Sequence, residues 1–78
     1  MYNLNNIVIS HLKINSLRQK FDVLKYLIKG NIDILALTET KLDQTFPTYQ
    51  FTIDEYSLFR LDRTSNGGGV FIYVRDDH

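Results

Sequence analysis

The chain has 78 residues, and its nine basic and nine acidic side chains give a formal net charge of zero. This length allows one small domain or part of a larger one, and the balanced charge argues against a dedicated nucleic-acid-binding domain, although not against an enzyme that reaches nucleic acid through a local site. Hydrophobic residues make up 44% and charged residues 23%, which argues against intrinsic disorder, and the absence of cysteine excludes disulfides and cysteine-based zinc sites.

The first predicted element is a strand that begins with Ile7-Val8-Ile9 and continues to about Ile14. Alternate side chains of a strand share a face, so His11, Lys13 and Asn15 would lie on the same side. His11 has no partner at metal-ligand spacing, and we interpret it as a packed or hydrogen-bonded strand residue.

A helix is predicted over residues 16–29. Asn15-Ser16 forms a good N-cap pair, and Gly30 is placed to end the helix. Its apolar residues recur at spacings of four, three and four, which places them on one face: Leu17, Phe21, Leu24 and Ile28. The basic residues of the helix are most simply a solvated face.

Residues 32–37 form an apolar run that predicts a strand buried on both faces, as in a parallel sheet. Strand, helix and buried strand together form a βαβ unit. The run ends in Thr38-Glu39-Thr40-Lys41, and open α/β sheets place their chemistry at such carboxyl ends.

The second half of the chain predicts a loop over residues 42–54 and then a β-hairpin. Its strands are Tyr56–Arg60 and Val70–Val74, and its connection contains a charged turn and Gly67-Gly68-Gly69. The glycines lack the lysine and spacing of a phosphate-binding loop and precede a strand, so we interpret them as a turn.

Three residues near the predicted strand ends could carry chemistry. Glu39 is a candidate metal carboxylate, Asn15 would lie beside it if the two strands are parallel, and Lys41 could keep Glu39 ionised if the strand continues. Each has a simpler alternative: a solvated strand end for Glu39, a helix cap for Asn15 and a surface lysine for Lys41. Position alone leaves these alternatives open.

Three segments in order resemble the endonuclease/exonuclease/phosphatase superfamily, most closely the apurinic-type endonuclease domain of non-LTR retrotransposons. They are residues 11–22, residues 33–42 with Thr38-Glu39-Thr40-Lys41, and the hairpin with Asp62-Arg63 and Gly67-Gly68-Gly69-Val70. The resemblance implies that residues 1–78 are the N-terminal part of one such domain, with no second domain. The expected fold is α/β, a partial four-layer α/β sandwich.

The resemblance also implies a Mg²⁺-dependent phosphodiesterase, with Mn²⁺ as a possible substitute. Glu39 would bind the metal, Asn15 would lie near it and Lys41 would support the carboxylates. One position departs from the family motif, because Lys13 stands where the family has asparagine and offers only donors and a charge. We hypothesise that the Lys13 ammonium pairs with Glu39, partly substitutes for the cation and weakens Mg²⁺ binding, so that Lys13→Asn in a full-length domain should change Mg²⁺ affinity and nicking.

The later catalytic residues of the family have no counterpart in this sequence. Asp77-His78 resembles part of the family's final motif, but it directly follows an early hairpin strand and no serine precedes it, so we do not equate the two. We therefore expect the fragment to be inactive alone. In an intact domain its partners would be DNA and a downstream reverse transcriptase region.

Two alternatives remain: a non-catalytic relic or interaction module from a decayed retrotransposon, and a sibling such as a sphingomyelinase or inositol phosphatase. The retrotransposon-like sequences of the first motif and of the hairpin argue against the sphingomyelinase or inositol phosphatase alternative. No apolar run reaches the roughly 20 residues of a membrane span, and the N-terminus lacks the pattern of a secretory signal. A cytosolic or nuclear location is the expectation.

Overall fold

A computed structural model describes residues 7–29, 32–42, 44–62 and 68–77. The elements run along the chain as β1 (Ile9–Lys13), α1 (Leu17–Ile28), β2 (Ile34–Thr38), a 3-10 helix (Thr48–Phe51), β3 (Tyr56–Leu61) and β4 (Val70–Arg75). The four strands form a single sheet in the order β1-β2-β4-β3. The predicted α/β class and the predicted order of strand, helix, strand and hairpin are confirmed. The predicted loop over residues 42–54 also contains the 3-10 helix.

The strand β2 lies at the centre of the sheet, with a neighbour on each side. It pairs in parallel with β1, so that Ile9 is opposite Ile34 and Lys13 is opposite Thr38. It pairs antiparallel with β4, which in turn pairs antiparallel with β3. The carboxyl ends of β1 and β2 therefore lie at the same edge of the sheet, as the βαβ prediction required.

One face of the sheet carries the core. Fully buried side chains from α1, β2 and β4 meet there: Leu17, Ile28, Leu37, Phe71 and Tyr73. The 3-10 helix adds Phe51, whose ring packs edge-on against Phe21 at 5.4 Å and against Phe71 at 5.8 Å between centroids. The loop therefore packs onto the core through Phe51, while Tyr49 stays exposed.

The other face of the sheet is open, and the prediction that β2 is buried on both faces is wrong. Leu35 and Leu37 are buried, whereas the alternate residues of β2 are only partly buried. On the same open face Ile9, Phe59 and Leu61 are exposed. No element within the described ranges covers this face. In β2, therefore, every second residue is buried, although the whole segment is apolar. None of the helices in those ranges has the length and hydropathy to cross a membrane.

A buried polar cluster closes the opposite edge of the sheet from Glu39. The Asp33 carboxylate accepts a hydrogen bond from the Val8 backbone N–H at 2.7 Å and pairs with Arg75 at 3.0 Å. The Tyr56 hydroxyl reaches the Ile28 carbonyl at 2.9 Å, which ties the end of α1 to β3. A buried charge is costly unless it is paired, so these contacts explain how Asp33 can stand at the start of an apolar strand.

The contribution of Tyr73 to the stability of the fold depends on pH, because its side chain is buried. Its side chain is fully buried and its hydroxyl donates to the Phe51 carbonyl at 2.6 Å. Burial raises the pKa of the Tyr73 hydroxyl far above its ordinary value of 10.0. Because the folded pKa is raised, its stabilising contribution is complete below about pH 10, where the unfolded tyrosine ionises, and is lost as the pH rises further.

We predict that Tyr73→Phe lowers stability by about 1–2 kcal/mol at neutral pH through loss of that hydrogen bond. Above about pH 10 the wild type should lose stability faster than the variant, by up to about 1.4 kcal/mol per pH unit. Urea unfolding at about pH 8 and about pH 11 measures both effects. Tyr26→Phe is the matched control, because Tyr26 is 82% exposed. Parallel pH profiles for the wild type and Tyr73→Phe would contradict the prediction.

Candidate functional site

The backbone pairing of β1 and β2 continues past the ends of both strands. The Ile14 N–H donates to the Thr38 carbonyl at 2.9 Å, the Ser16 N–H to the Glu39 carbonyl at 2.9 Å and the Leu17 N–H to the Thr40 carbonyl at 3.0 Å. These three hydrogen bonds place the turn between β1 and α1 alongside the segment that follows β2. Asn15 and Glu39 therefore lie on adjacent stretches of backbone, as the sequence predicted for parallel strands.

The start of α1 differs from the prediction of a side-chain cap. Ser16 is the N-cap residue, but no side chain caps the helix, and Ser16 has a φ of 90°. The Leu17 N–H, one of the N-terminal donors that have no partner inside the helix, donates to the Thr40 carbonyl. The side chain of Asn15 is exposed. Asn15 therefore does not serve as the N-cap that sequence reasoning offered as its simpler role.

Thr40 anchors the segment from its other side. It is fully buried, and its N–H donates to the Gly69 carbonyl at 3.4 Å while its hydroxyl donates to the Gly68 carbonyl at 3.4 Å. The Lys41 N–H donates to the same Gly68 carbonyl at 2.7 Å. Two of the predicted turn glycines thus hold the residues that follow Glu39, a role that sequence reasoning missed. Gly67 lies outside the described residues.

Gly69 is specifically required at its position. Its φ is +95°, and a Cβ added there would lie 2.5 Å from the Thr40 hydroxyl oxygen. Only a residue without a side chain combines this backbone conformation with this close approach at no steric cost. The sequence did contain a signal for this role, since the glycines directly precede β4, which pairs with β2. The sequence does not reveal which backbone groups the glycines contact.

Left-handed backbone conformations are concentrated at this edge of the sheet. Asn15 has a φ of 51°, Ser16 of 90°, Glu39 of 59° and Lys41 of 60°. A non-glycine residue in this region costs about 1–2 kcal/mol, and such strain is typical of functional sites. The assumption that the strand continues to Lys41 is wrong, because β2 ends at Thr38 and both Glu39 and Lys41 have positive φ angles that a strand does not contain.

The charges around Glu39 are not paired with it in the part of the chain that the structure describes. Glu39 is half-exposed, Lys13 and Lys41 are exposed, and neither lysine forms an ion pair with the Glu39 carboxylate. The hypothesised Lys13–Glu39 ion pair is therefore not found. His11 approaches the Thr38 hydroxyl at 3.2 Å between Nε2 and Oγ1, which agrees with its interpretation as a hydrogen-bonded strand residue.

The donor atoms at this edge fit a hard cation. Glu39 offers carboxylate oxygens and Asn15 offers an amide oxygen, and Mg²⁺ is commonly held by one or two protein oxygens with water and phosphate completing the shell. Within the described ranges no group of three histidine, cysteine, aspartate or glutamate residues could hold a metal, which does not favour a site made wholly of protein ligands. The residues present fit a partial, water-rich Mg²⁺ site.

Comparison with solved structures identifies proteins that share this fold. A 3′ phosphatase from Neisseria, bound to a product DNA hairpin, matches 86% of this chain with 30% identity and a TM-score of 0.72. An AP endonuclease from Archaeoglobus fulgidus matches 87% with 27% identity and a TM-score of 0.73. The chain has an AP-endonuclease fold. This supports the endonuclease/exonuclease/phosphatase superfamily that the motifs indicated.

The chain spans only about a quarter of each matched structure, 26% of the Neisseria protein and 27% of the Archaeoglobus protein. No protein-family model matches the chain, and no curated protein matches it in sequence. The likeness to these two structures therefore shows the fold of this chain.

The glycine contacts allow a double-mutant test. Gly69→Ala should lower the free energy of unfolding by about 2–4 kcal/mol, because it adds left-handed strain and a clash with the Thr40 hydroxyl. In a Thr40→Ala background the clash is removed, so the same change should cost about 1–2 kcal/mol less. Urea unfolding of the wild type, the two single variants and the double variant measures this coupling. Strict additivity would show that Thr40 and Gly69 do not interact as described.

Proposed function

We propose that this chain is part of a Mg²⁺-dependent DNA endonuclease and that Glu39 is its metal-binding carboxylate. The observation that carries the proposal is the hydrogen-bonded alignment of residues 14–17 with residues 38–40. It aligns the backbone of Asn15 with that of the partly exposed Glu39 at the carboxyl ends of two parallel strands, in a fold shared with DNA-processing enzymes.

Each residue has a distinct role in this proposal. Glu39 and Asn15 would hold Mg²⁺, or Mn²⁺ in its place, and the bound metal supplies Lewis-acid polarisation of a phosphate and stabilisation of the leaving oxygen. Thr40 keeps the backbone of Glu39 in place through the glycine carbonyls. Lys41 is exposed and adds positive charge that favours a phosphate backbone. Lys13 adds a further charge but no oxygen ligand.

The biological role that we infer is nicking of target DNA for target-primed reverse transcription. This inference rests on the retrotransposon-like motifs of residues 11–22 and 33–42 and on the hairpin motif. It makes DNA the substrate of the intact domain and a reverse transcriptase region the expected partner. The likeness to a 3′ phosphatase bound to DNA and to an AP endonuclease supports the DNA substrate class.

Metal binding is the direct test of the site. In the ¹⁵N-labelled chain, Mn²⁺ should broaden the NMR signals of Glu39, Asn15 and their neighbours, and Mg²⁺ should compete. Glu39→Gln should weaken this binding by about tenfold or more, because it removes the charged ligand. Glu55→Gln is a matched control, since Glu55 also has a positive φ, 75°, and lies on the opposite edge beside Asp76 and Asp77. Equal broadening at both glutamates, unaffected by Glu39→Gln, would count against the proposal.

The isolated chain should not cut DNA. Positioning and electrostatic groups supply most of the rate enhancement in such reactions, and this sequence matches only the first motifs of the family. We expect no Mg²⁺-dependent relaxation of supercoiled plasmid by the purified 78-residue chain. The Glu39→Gln variant is the control for contaminating nucleases. Relaxation by the wild type that Glu39→Gln abolishes would overturn the expected inactivity while supporting the site.

A non-catalytic interaction module is the second candidate. The open face of the sheet favours it, because Phe59 and Leu61 are 59% and 68% exposed there. The metal titration separates the two candidates. Binding at Glu39 supports the nuclease fragment, whereas a folded chain without a Glu39-dependent metal site leaves the interaction module as the better explanation.

A further inference from the structure

Lys20 contacts the turn that carries Asn15. Its ammonium Nζ lies 2.8 Å from the Ile14 carbonyl oxygen and 3.3 Å from the Asn15 carbonyl oxygen and donates to both. These two carbonyls belong to the short connection between β1 and α1, where Asn15 and Ser16 have positive φ angles. One side chain thus bridges the two peptide groups on either side of the Asn15 Cα.

The position of Lys20 in the helix is unfavourable by itself. Lys20 lies in the first turn of α1, which contains no acidic residue. The N-terminal end of a helix carries partial positive charge, so a cation there is disfavoured and an acidic residue is the usual choice. The two hydrogen bonds to carbonyl oxygens give Lys20 a specific role that offsets this repulsion.

The stem of Lys20 is also held. It lines an apolar groove of about 210 Å³ between β1 and α1, together with Leu12, Ile14, Val23, Leu24 and Leu27. Packing of the methylene groups against this groove restricts the side chain while the ammonium reaches the carbonyls. The ammonium is thereby held at the turn, and less conformational entropy is lost when its hydrogen bonds form.

We propose that Lys20 is a positioning residue that holds the β1–α1 turn so that Asn15 stays beside Glu39. The inference rests on the proposed function for its consequence in metal binding, but its geometric part stands on the two hydrogen bonds alone. Lys20 touches neither metal nor DNA in this role. It acts through the conformation of Asn15 and Ser16, as residues beyond the direct ligands do in other metal sites.

The test compares Lys20→Met with Lys25→Met. Both substitutions keep an unbranched stem and remove an ammonium from the same helix, and the Lys25 ammonium lies over the Phe21 ring, 5.7 Å from its centroid. In the full chain, Lys20→Met should change the backbone scalar couplings that report φ at Asn15 and Ser16. It should also weaken Mn²⁺ binding about tenfold or more, whereas Lys25→Met should change neither. Lys20→Arg should restore part of the affinity, because its guanidinium can donate to both carbonyls.

The two readouts separate the two ideas. If the wild type binds Mn²⁺ and Lys20→Met binds it equally well, the positioning role is wrong. If the wild type binds no Mn²⁺, the proposed metal site fails, and Lys20 is then judged by the Asn15 and Ser16 couplings alone. If Lys20→Met does not fold, scalar coupling across the hydrogen bonds from Lys20 ¹⁵Nζ to the ¹³C carbonyls of Ile14 and Asn15 decides in the wild type. Absence of that coupling overturns the proposal.

Discussion

The candidate site depends on hydrogen bonding of the backbone that follows the central strand. After β2 ends at Thr38, the next residues no longer form a strand, yet their backbone groups remain paired on both sides. On one side, the carbonyls of Glu39 and Thr40 accept from Ser16 and Leu17, and on the other, Thr40 and Lys41 donate to glycine carbonyls. Because β2 is one of the two strands with a neighbour on each side, the segment that follows it can be held from both sides beyond its end.

This two-sided pairing explains how the strained residues can persist. A left-handed non-glycine residue costs about 1–2 kcal/mol, and a backbone hydrogen bond contributes about 1 kcal/mol net. The strain energy of one such residue and the net energy of one backbone hydrogen bond are similar, so one hydrogen bond offsets much of the strain of one residue. Ser16 and Lys41 each donate such a bond, and the Glu39 carbonyl accepts one. The Glu39 carbonyl is thus held by Ser16 and the two residues after it are held by the glycine carbonyls, while the Glu39 side chain stays partly exposed, an arrangement that suits a preorganised metal ligand.

Local patterns predicted the elements well, because helix and strand periodicities are properties of short segments. The stripe from Leu17 to Ile28 and the parallel βαβ arrangement were both confirmed. Ser16 is the N-cap residue as predicted, but the side-chain capping, the continuation of the strand to Lys41 and the role of the glycines were not predicted correctly. All three depend on contacts between distant backbone groups and on positive φ angles. Apart from glycine, the identity of a residue does not reveal a positive φ angle. The apolar run of β2 likewise could not show that only one of its faces is fully buried.

The open face of the sheet and the candidate site meet at the same edge. Lys13 and Thr38 are paired in register, and Thr38 shares its face with the partly buried residues Ile34 and Ala36. Any layer that covered this apolar face would therefore extend to the polar rim next to Glu39. Burial of the face and completion of the site would then be one event, since both need the same neighbouring surface. This coupling fits a chain that spans about a quarter of the structures it resembles.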